Sequence, residues 1–260
     1  MRRGNAYVLL FALAVCAVCS VLVAGAAVSL RERQRANQVL DRQHKILAVA
    51  GLITEGEALT PQQVRDAFAA NIVPQVIELA TGAVVADVDP LTFDQRAEAR
   101  DPQNSVLAPV NAAGVPRLPR RALVYRQLEG QNHQNVILPV EGKGLWSTLY
   151  GFVALTTDLQ RIEGLTFYEH GETPGLGGEV ENPKWQALWK GRRPFDANGR
   201  PVIEVIKGVA GSPEKDPSRV DGLSGATITG RGVTHLLRFW LGEQGYGPYL
   251  ARLKNEGATP

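Results

Sequence analysis

Val220-Asp221-Gly222-Leu223-Ser224-Gly225-Ala226-Thr227-Ile228-Thr229, followed by Gly230-Arg231-Gly232-Val233, is the stretch from which the rest of the chain is read. Four small or hydroxylated residues, Ser224, Gly225, Ala226 and Thr227, stand between an acidic turn and an apolar run, Val233 to Leu241, that reads as helix. Glycine lets backbone pass close to a ligand and adopt positive φ, and a helix start offers free N–H groups and the positive end of a dipole to a phosphate. Thr227 is then a hydroxyl beside a natural anion site. The ordinary role of such a threonine is helix N-cap, yet position 230 is glycine, so the acidic partner of a capping box is missing. No Ser/His/Asp or Cys/His set is arranged to activate the hydroxyl, so a group carried on Thr227 has to be attached by another protein.

Asp221-Gly222-Leu223-Ser224-Gly225-Ala226-Thr227 resembles the flavin-attachment motif of the FMN-binding domain family, in which the last threonine carries FMN through a phosphoester bond. Two further stretches, Gly144-Leu145-Trp146-Ser147-Thr148-Leu149-Tyr150-Gly151 and Glu172-Thr173-Pro174-Gly175-Leu176-Gly177, narrow the likeness to the C subunits of the sodium-translocating NADH:quinone oxidoreductases. It covers Gly142 to about Trp240 and the N-terminal anchor, while residues 55 to 135 carry none of it. The resemblance implies covalent FMN on Thr227, with Glu172, Thr173, Gly175 and Leu176 bordering the isoalloxazine. A dedicated flavin transferase would move FMN from FAD onto the threonine, reading Asp221 and Ser224; an Asx-turn accounts for Asp221 equally well. Backbone N–H groups after Gly225, with Arg231 or Lys207, could meet the phosphate charge.

The residues bear their own readings beside that likeness. Glu172 to Gly177 is a loop stiffened by Pro174, with Gly175 and Gly177 permitting close approach and Leu176 free to cover a flat ring. Trp146 could stack on such a ring or pack in a core. Trp185 and Trp189, four apart on a short helix, share one face and read as packing. His170 reads as a surface or hydrogen-bonded histidine. No catalytic residue and no metal site is expected. No Gly-x-Gly-x-x-Gly follows a strand, so nicotinamide has to be handled elsewhere.

A protein of this kind carries electrons and does not turn over substrate alone, because FMN supplies the redox chemistry and protein supplies attachment and orientation. By resemblance its partners are those of a six-subunit complex: a large flavin-bearing membrane subunit, an NADH-oxidising subunit and iron-binding membrane subunits. Electrons would pass from NADH to ubiquinone while sodium is exported. Two alternatives stand beside this: the G subunit of the related ferredoxin:NAD oxidoreductase complex, and a flavin-free membrane-anchored assembly protein. Leu145-Trp146-Ser147 and the run from Pro183 to Gly191 look closer to the quinone reductase.

Net charge is +2, with 28 Lys and Arg scattered among 26 Asp and Glu, so no nucleic-acid footprint is visible. Cys16 and Cys19 both lie in the apolar N-terminal run, leaving the rest of the chain without thiols for disulfides, zinc or an iron-sulfur cluster. Within hydrocarbon their Cys-x-x-Cys spacing lacks the electropositive setting that makes a thiolate.

From Ala6 to Leu30 no residue is charged, a span long enough to cross a bilayer core of about 30 Å. A cleaved signal peptide is the competing reading, but its apolar region is usually only about 7–15 residues long. Arg2 and Arg3 precede the span and Arg31, Arg33 and Arg35 follow it, so flanking charge leaves orientation open. The family likeness implies a short cytoplasmic N-terminus, residues 1–5, at a bacterial inner membrane, with the body in the periplasm.

The expected fold class is α+β, a single transmembrane helix (6–30) followed by a mixed α/β body. Residues 31–141 form a membrane-proximal helix and an N-terminal α/β region, 142–242 the FMN-binding domain, and 243–260 a C-terminal tail. Helices are expected from Arg31 to Gly51, from Pro61 to about Ala70, from Pro183 to Gly191, and from Val233 to Leu253 with a break near Gly245 to Gly247. Strands are expected at 76–79, 82–88, 122–128, 135–140, 149–156, 164–169 and 202–207, with turns around 130–133 and 158–163. Asp89 to Pro119 reads as a long irregular surface segment.

Overall fold

The computed structural model of the chain describes residues 4–54, 57–129 and 132–256. It divides into two compact units, one ending at Arg42 and one beginning at Gln43. Helix α1, Asn5–Val49, is continuous. The expected apolar span and the expected membrane-proximal helix run on as one helix, because the change at Leu30 is from apolar to charged side chains, with no proline or glycine there to interrupt backbone hydrogen bonding. Among the described residues it is the one helix long and apolar enough to cross a membrane. Apolar side chains such as Leu9, Leu22 and Val28 are exposed on it, as a lipid-facing helix requires. The expected cytoplasmic N-terminus and C-terminal tail lie partly outside the described residues, at 1–3 and 257–260.

The body is built on one five-stranded antiparallel sheet: β1 (Ile72–Glu78), β4 (Arg121–Glu129), β5 (Asn132–Lys143), β6 (Thr148–Thr156) and β7 (Ile162–Glu169), in the order β1-β4-β5-β6-β7. Of the turn expected around 130–133, residues 130 and 131 lie outside the described residues, and 132 and 133 belong to β5, paired with β4. The expected domain boundary between 141 and 142 falls inside β5, so both regions share this sheet. Proline sits in two strands without breaking the ladder. Pro74 is on edge strand β1, and Pro139 lies beyond Ile137, where pairing with β4 ends and β5 has only β6 beside it.

Both faces of the sheet are covered. One side of β4 to β7, with Val124, Val136, Leu138, Leu149, Val153, Leu155, Leu165 and Phe167, joins the main core with α5 (Thr227–Leu241) and α6 (Gly247–Glu256). Helix α5 buries Val233, Leu236, Leu237, Trp240 and Leu241, the spacing of a single helical stripe. The Trp240 indole N–H donates to the Glu141 carbonyl at 2.6 Å. The helix begins at Thr227, earlier than its apolar periodicity suggests, through Gly230 and Gly232, two poor helix formers. Gly232 is demanded by packing: a Cβ there would strike the Lys143 carbonyl at the end of β5.

The opposite face carries a run of packed rings. Phe68 of α2 (Pro61–Asn71) meets Tyr125, Tyr125 meets Phe152, and Phe152 stacks on Tyr168 at 5.0 Å. Ile46, Leu47 and Val49, at the end of α1, are buried, with Val49 lying over Gly164 on this side. Helix α2 starts as expected, with a complete capping box between Thr60 and Gln63.

The segment expected to be irregular, 89–119, contains helix α3 (Gln95–Arg100) and the paired strands β2 (Ser105–Leu107) and β3 (Arg117–Pro119). Asp94 caps α3 by accepting from the Arg96 and Ala97 N–H groups. Two forked ion pairs hold this helix down: Arg96 on Glu169 at 2.6 and 3.0 Å, and Arg121 on Glu98 at 2.7 and 3.0 Å. Other strand expectations shrink. Gly82 turns the chain at φ +68, leaving only a bridge between Ile77 and Val84 in the 82–88 run. In 202–207, Val202 bonds back to Pro194 instead of a strand, so β8 is only Glu204–Val205, parallel to β9, Arg219–Val220. Helix α4, Pro183–Gln186, runs into a 3-10 turn to Trp189, with Asn182 as N-cap.

Phe152 is only 2% exposed and touches two rings. Truncating it to alanine should lower unfolding free energy by about 3–5 kcal/mol in a urea titration. A loss under about 1 kcal/mol would mean that this face of the sheet is open to solvent.

Candidate functional site

Strand topology brings the three quoted stretches to one end of the body. The turn 144–147 joins β5 to β6, and the loop 170–177 leaves β7 where Tyr150 pairs with Glu169. Helix α5 crosses β5 at Gly232, which sets the start of α5 beside the 144–147 turn.

Glu172 ties the three together. Its side chain is buried, 5% exposed. Oε1 accepts from the N–H groups of Trp146 (2.9 Å) and Ser147 (3.3 Å); Oε2 accepts from Leu145 N–H (3.2 Å) and from the Thr229 hydroxyl (2.5 Å). Three successive N–H groups form an anion-binding nest, and the protein's own carboxylate occupies it. Gly144 and Gly177 flank the carboxylate, and a Cβ at either would lie within 2.6–2.7 Å of its oxygens. Ser147 adds a further bond between the loops, accepting from Gly171 N–H at 2.6 Å. Burial pushes the Glu172 carboxyl up, but the bonds from Thr229, Trp146, Leu145 and Ser147 together outweigh it and hold it below the usual glutamate range.

Thr227 is the first residue of α5, exposed, with Ala226 in the cap position and no side-chain cap bond. The first turn carries no acidic residue, so its N–H groups and dipole lack a counter-charge from their own sequence. Gly225 adopts φ +70, where any other residue would be strained, and Leu176 lies within 2.8 Å of where its Cβ would sit. Ser224 is exposed and Ala226 buried. Asp221 makes no local Asx-turn: its Oδ1 accepts from Ala210 N–H at 2.9 Å, and its carbonyl from the Trp185 indole at 2.9 Å. These bonds, with Gly222 N–H to the Gly208 carbonyl at 2.8 Å, lay the 206–210 loop along the motif.

That loop and the start of α5 border a cleft of about 650 Å³, lined by Lys207, Gly208, Val209, Asp221, Ser224, Gly225, Thr227, Gly230 and Arg231 among others. Its size suits a cofactor, and its two cations flank the uncapped helix start. A second cleft of about 430 Å³, lined by Asp158, Phe195, Leu250 and Lys254 among others, shares no residue with it.

The remaining sites divide. Trp146 is 71% exposed, with Leu145, Leu176 and Ile228 also exposed, so apolar surface rims the Thr227 end of the body. Thr173 and Gly175 shape the loop: the Thr173 carbonyl accepts from the N–H groups of Leu176 and Gly178, and Gly175 sits at φ +75. Glu172 faces inward, its oxygens taken by the turn and by Thr229. His170 lies with Nε2 3.2 Å from a Glu181 carboxylate oxygen and Nδ1 accepting from Glu172 N–H. Trp185 and Trp189 pack edge to face in the core. Sequence reasoning passed over Thr229 and Val209. The only signal for Thr229 was a second hydroxyl two residues after Thr227, where a helix interior favours neither Thr nor any β-branched residue.

The pattern of the FMN-binding domain family matches residues 144–242. Over 253 residues the chain is 47% identical to the C subunit of the Na(+)-translocating NADH-quinone reductase of Yersinia pestis, covering 96% of this chain and 93% of that protein. Its counterpart from Pseudomonas aeruginosa is 47% identical over 256 residues, 97% of each chain. Among solved structures, Shewanella oneidensis NqrC superposes with a TM-score of 0.77 at 36% identity, over 86% of this chain and 99% of that one. The Na(+)-translocating NADH-quinone reductase C subunit from Parabacteroides distasonis gives 0.64 at 25% identity, over 85% and 96%.

A carboxyl whose folded value lies below its unfolded value of about 4.5 stabilises the fold fully above that pH and loses the contribution as pH falls through the folded value. Melting temperature of the native chain should therefore fall more steeply below about pH 4.5 than that of Glu172→Gln, whose side chain does not titrate. Parallel curves would show that Glu172 is not held as a carboxylate.

Proposed function

The chain belongs to the family of C subunits of the Na(+)-translocating NADH-quinone reductases and is the FMN-carrying electron-transfer subunit of such a complex; we propose that its FMN is held by a phosphoester on Thr227. What supports this is the start of α5: an exposed Thr227 hydroxyl at an uncapped helix terminus, opening on a cleft with Lys207 and Arg231. A phosphodiester there would place one negative charge where the first-turn N–H groups, Lys207 and Arg231 can meet it. The bound FMN supplies reversible electron uptake and release; the chain anchors it and shapes its surroundings.

Attachment is the work of a separate flavin transferase using FAD. The Thr227 oxygen forms a bond to the phosphorus of the FMN half, the pyrophosphate bond breaks, AMP leaves, and the hydroxyl proton passes to a base of the transferase. Exposed Ser224 is available to that enzyme, whereas Asp221 serves the turn that displays it. Trp146 and Leu176, both exposed beside the motif, would lie against the flavin ring.

Helix α1 fits a single-pass anchor, by which the carrier stays within reach of membrane redox partners. We place it in the bacterial inner membrane with the body in the periplasm, where a covalent bond prevents loss of a cofactor that cannot be replenished by diffusion. Its neighbours would be the large flavin-bearing membrane subunit, the NADH-oxidising subunit and iron-binding membrane subunits, which handle NADH, ubiquinone and sodium. The reading as a ferredoxin:NAD oxidoreductase G subunit is not favoured, since relatives matching nearly the whole chain are quinone reductase C subunits.

Co-expressed with a flavin transferase, the full chain should give a fluorescent band on a denaturing gel. Thr227→Ala should abolish that band while leaving the melting temperature of the flavin-free chain within a few degrees. A band that survives the substitution would move the attachment to another residue.

A further inference from the structure

Thr227 and Thr229 are two residues apart at the start of α5, one exposed and the other 0% exposed. At about 100° per residue, two residues separate side chains by about 200° around a helix, so they point to nearly opposite faces. Whatever fixes Thr229 toward the body thereby turns Thr227 out. The group that fixes it is Glu172, 57 positions earlier, bonded to the Thr229 hydroxyl at 2.5 Å. The same carboxylate gathers the N–H groups of residues 145–147, and so holds the backbone beneath Trp146. It also holds the 172–177 loop, because Gly177 packs against both Glu172 and Thr229, which brings Leu176 to Gly225.

Resting on the FMN reading above, we infer that Glu172 is a positioning residue for flavin attachment: through Thr229 and the 145–147 nest it presents the Thr227 hydroxyl, Trp146 and Leu176 on one face of the body. A carboxylate suits this place for a physical reason. The first turn of α5 has no acid of its own, and a buried anion at its inner side complements the dipole while leaving the outer side open. It is fully bonded, with four donors for two oxygens, and lies between two glycines that leave no room for it to move. Being turned inward and saturated, it acts on Thr227 through Thr229. The acceptor threonine is then correctly displayed only when residues 144–147, 172–177 and 224–229 are assembled, so attachment follows folding of the body.

The test measures the rate at which the purified full-length, detergent-extracted chain gains the FMN adduct by intact mass, given flavin transferase and FAD. Assays are run well below each variant's melting temperature. Thr229→Val, which keeps shape and removes one hydroxyl, should slow attachment at least 10-fold, as should Glu172→Gln; Thr229→Ser should stay within about 3-fold of the native chain. Native-like rates in Thr229→Val and Glu172→Gln, with the native chain fully modified, would overturn the positioning role and leave the FMN reading intact. A native chain that never gains the adduct would overturn both. Amide hydrogen exchange of the native chain gives a check that no variant's folding can obscure. The N–H groups of 145–147 should be protected at neutral pH, and free exchange there would overturn the proposal.

Discussion

One buried carboxylate decides how the site end of this protein is assembled. Desolvating a charge costs several kcal/mol, and hydrogen bonds to a charged group return about 1.5–3 kcal/mol each. Four such bonds at Glu172 offset the cost. The gain is geometric: a saturated carboxylate between Gly144 and Gly177 allows one arrangement of three chain segments that are far apart in sequence. A leucine of similar size could fill that space, but it would leave the N–H groups of 145–147 without acceptors.

The sheet makes this arrangement possible. Burial on both faces fixes the register of β5, β6 and β7, and register fixes which loops leave at the same end. Main-core side chains and α5 press on one face, and the Phe68, Tyr125, Phe152 and Tyr168 rings with the end of α1 press on the other. The cost of bringing α5 so close to β5 is a glycine at 232 in a helix that would otherwise favour alanine.

Much of this was legible in the sequence. Apolar, turn-flanked runs marked the β4–β5 and β6–β7 pairs, Thr60-Pro61 the start of α2, and Asn182-Pro183 the start of α4, since each signal is local. What escaped depends on distant partners. Helix α3 is short and rests on Asp94 and two ion pairs to residues far along the chain. Residues 82–88 look extended but are turned by Gly82 against the backbone of Pro248 and Tyr249. At the site, motif spacing singled out Thr227, Gly225 and the 172–177 loop, but not the inward direction of Glu172 or its hydroxyl partner. No periodicity links residue 172 to residue 229.

An electron carrier needs its cofactor at a fixed place on a surface that a partner can approach, and a helix start with an exposed threonine, two nearby cations and an apolar rim meets that need. The most direct measurement of this central claim is peptide mapping by mass spectrometry of the chain taken from the active complex in its native host. The peptide containing Thr227 should carry the mass of FMN less one water. Finding that peptide unmodified in a complex that reduces quinone would contradict the assignment.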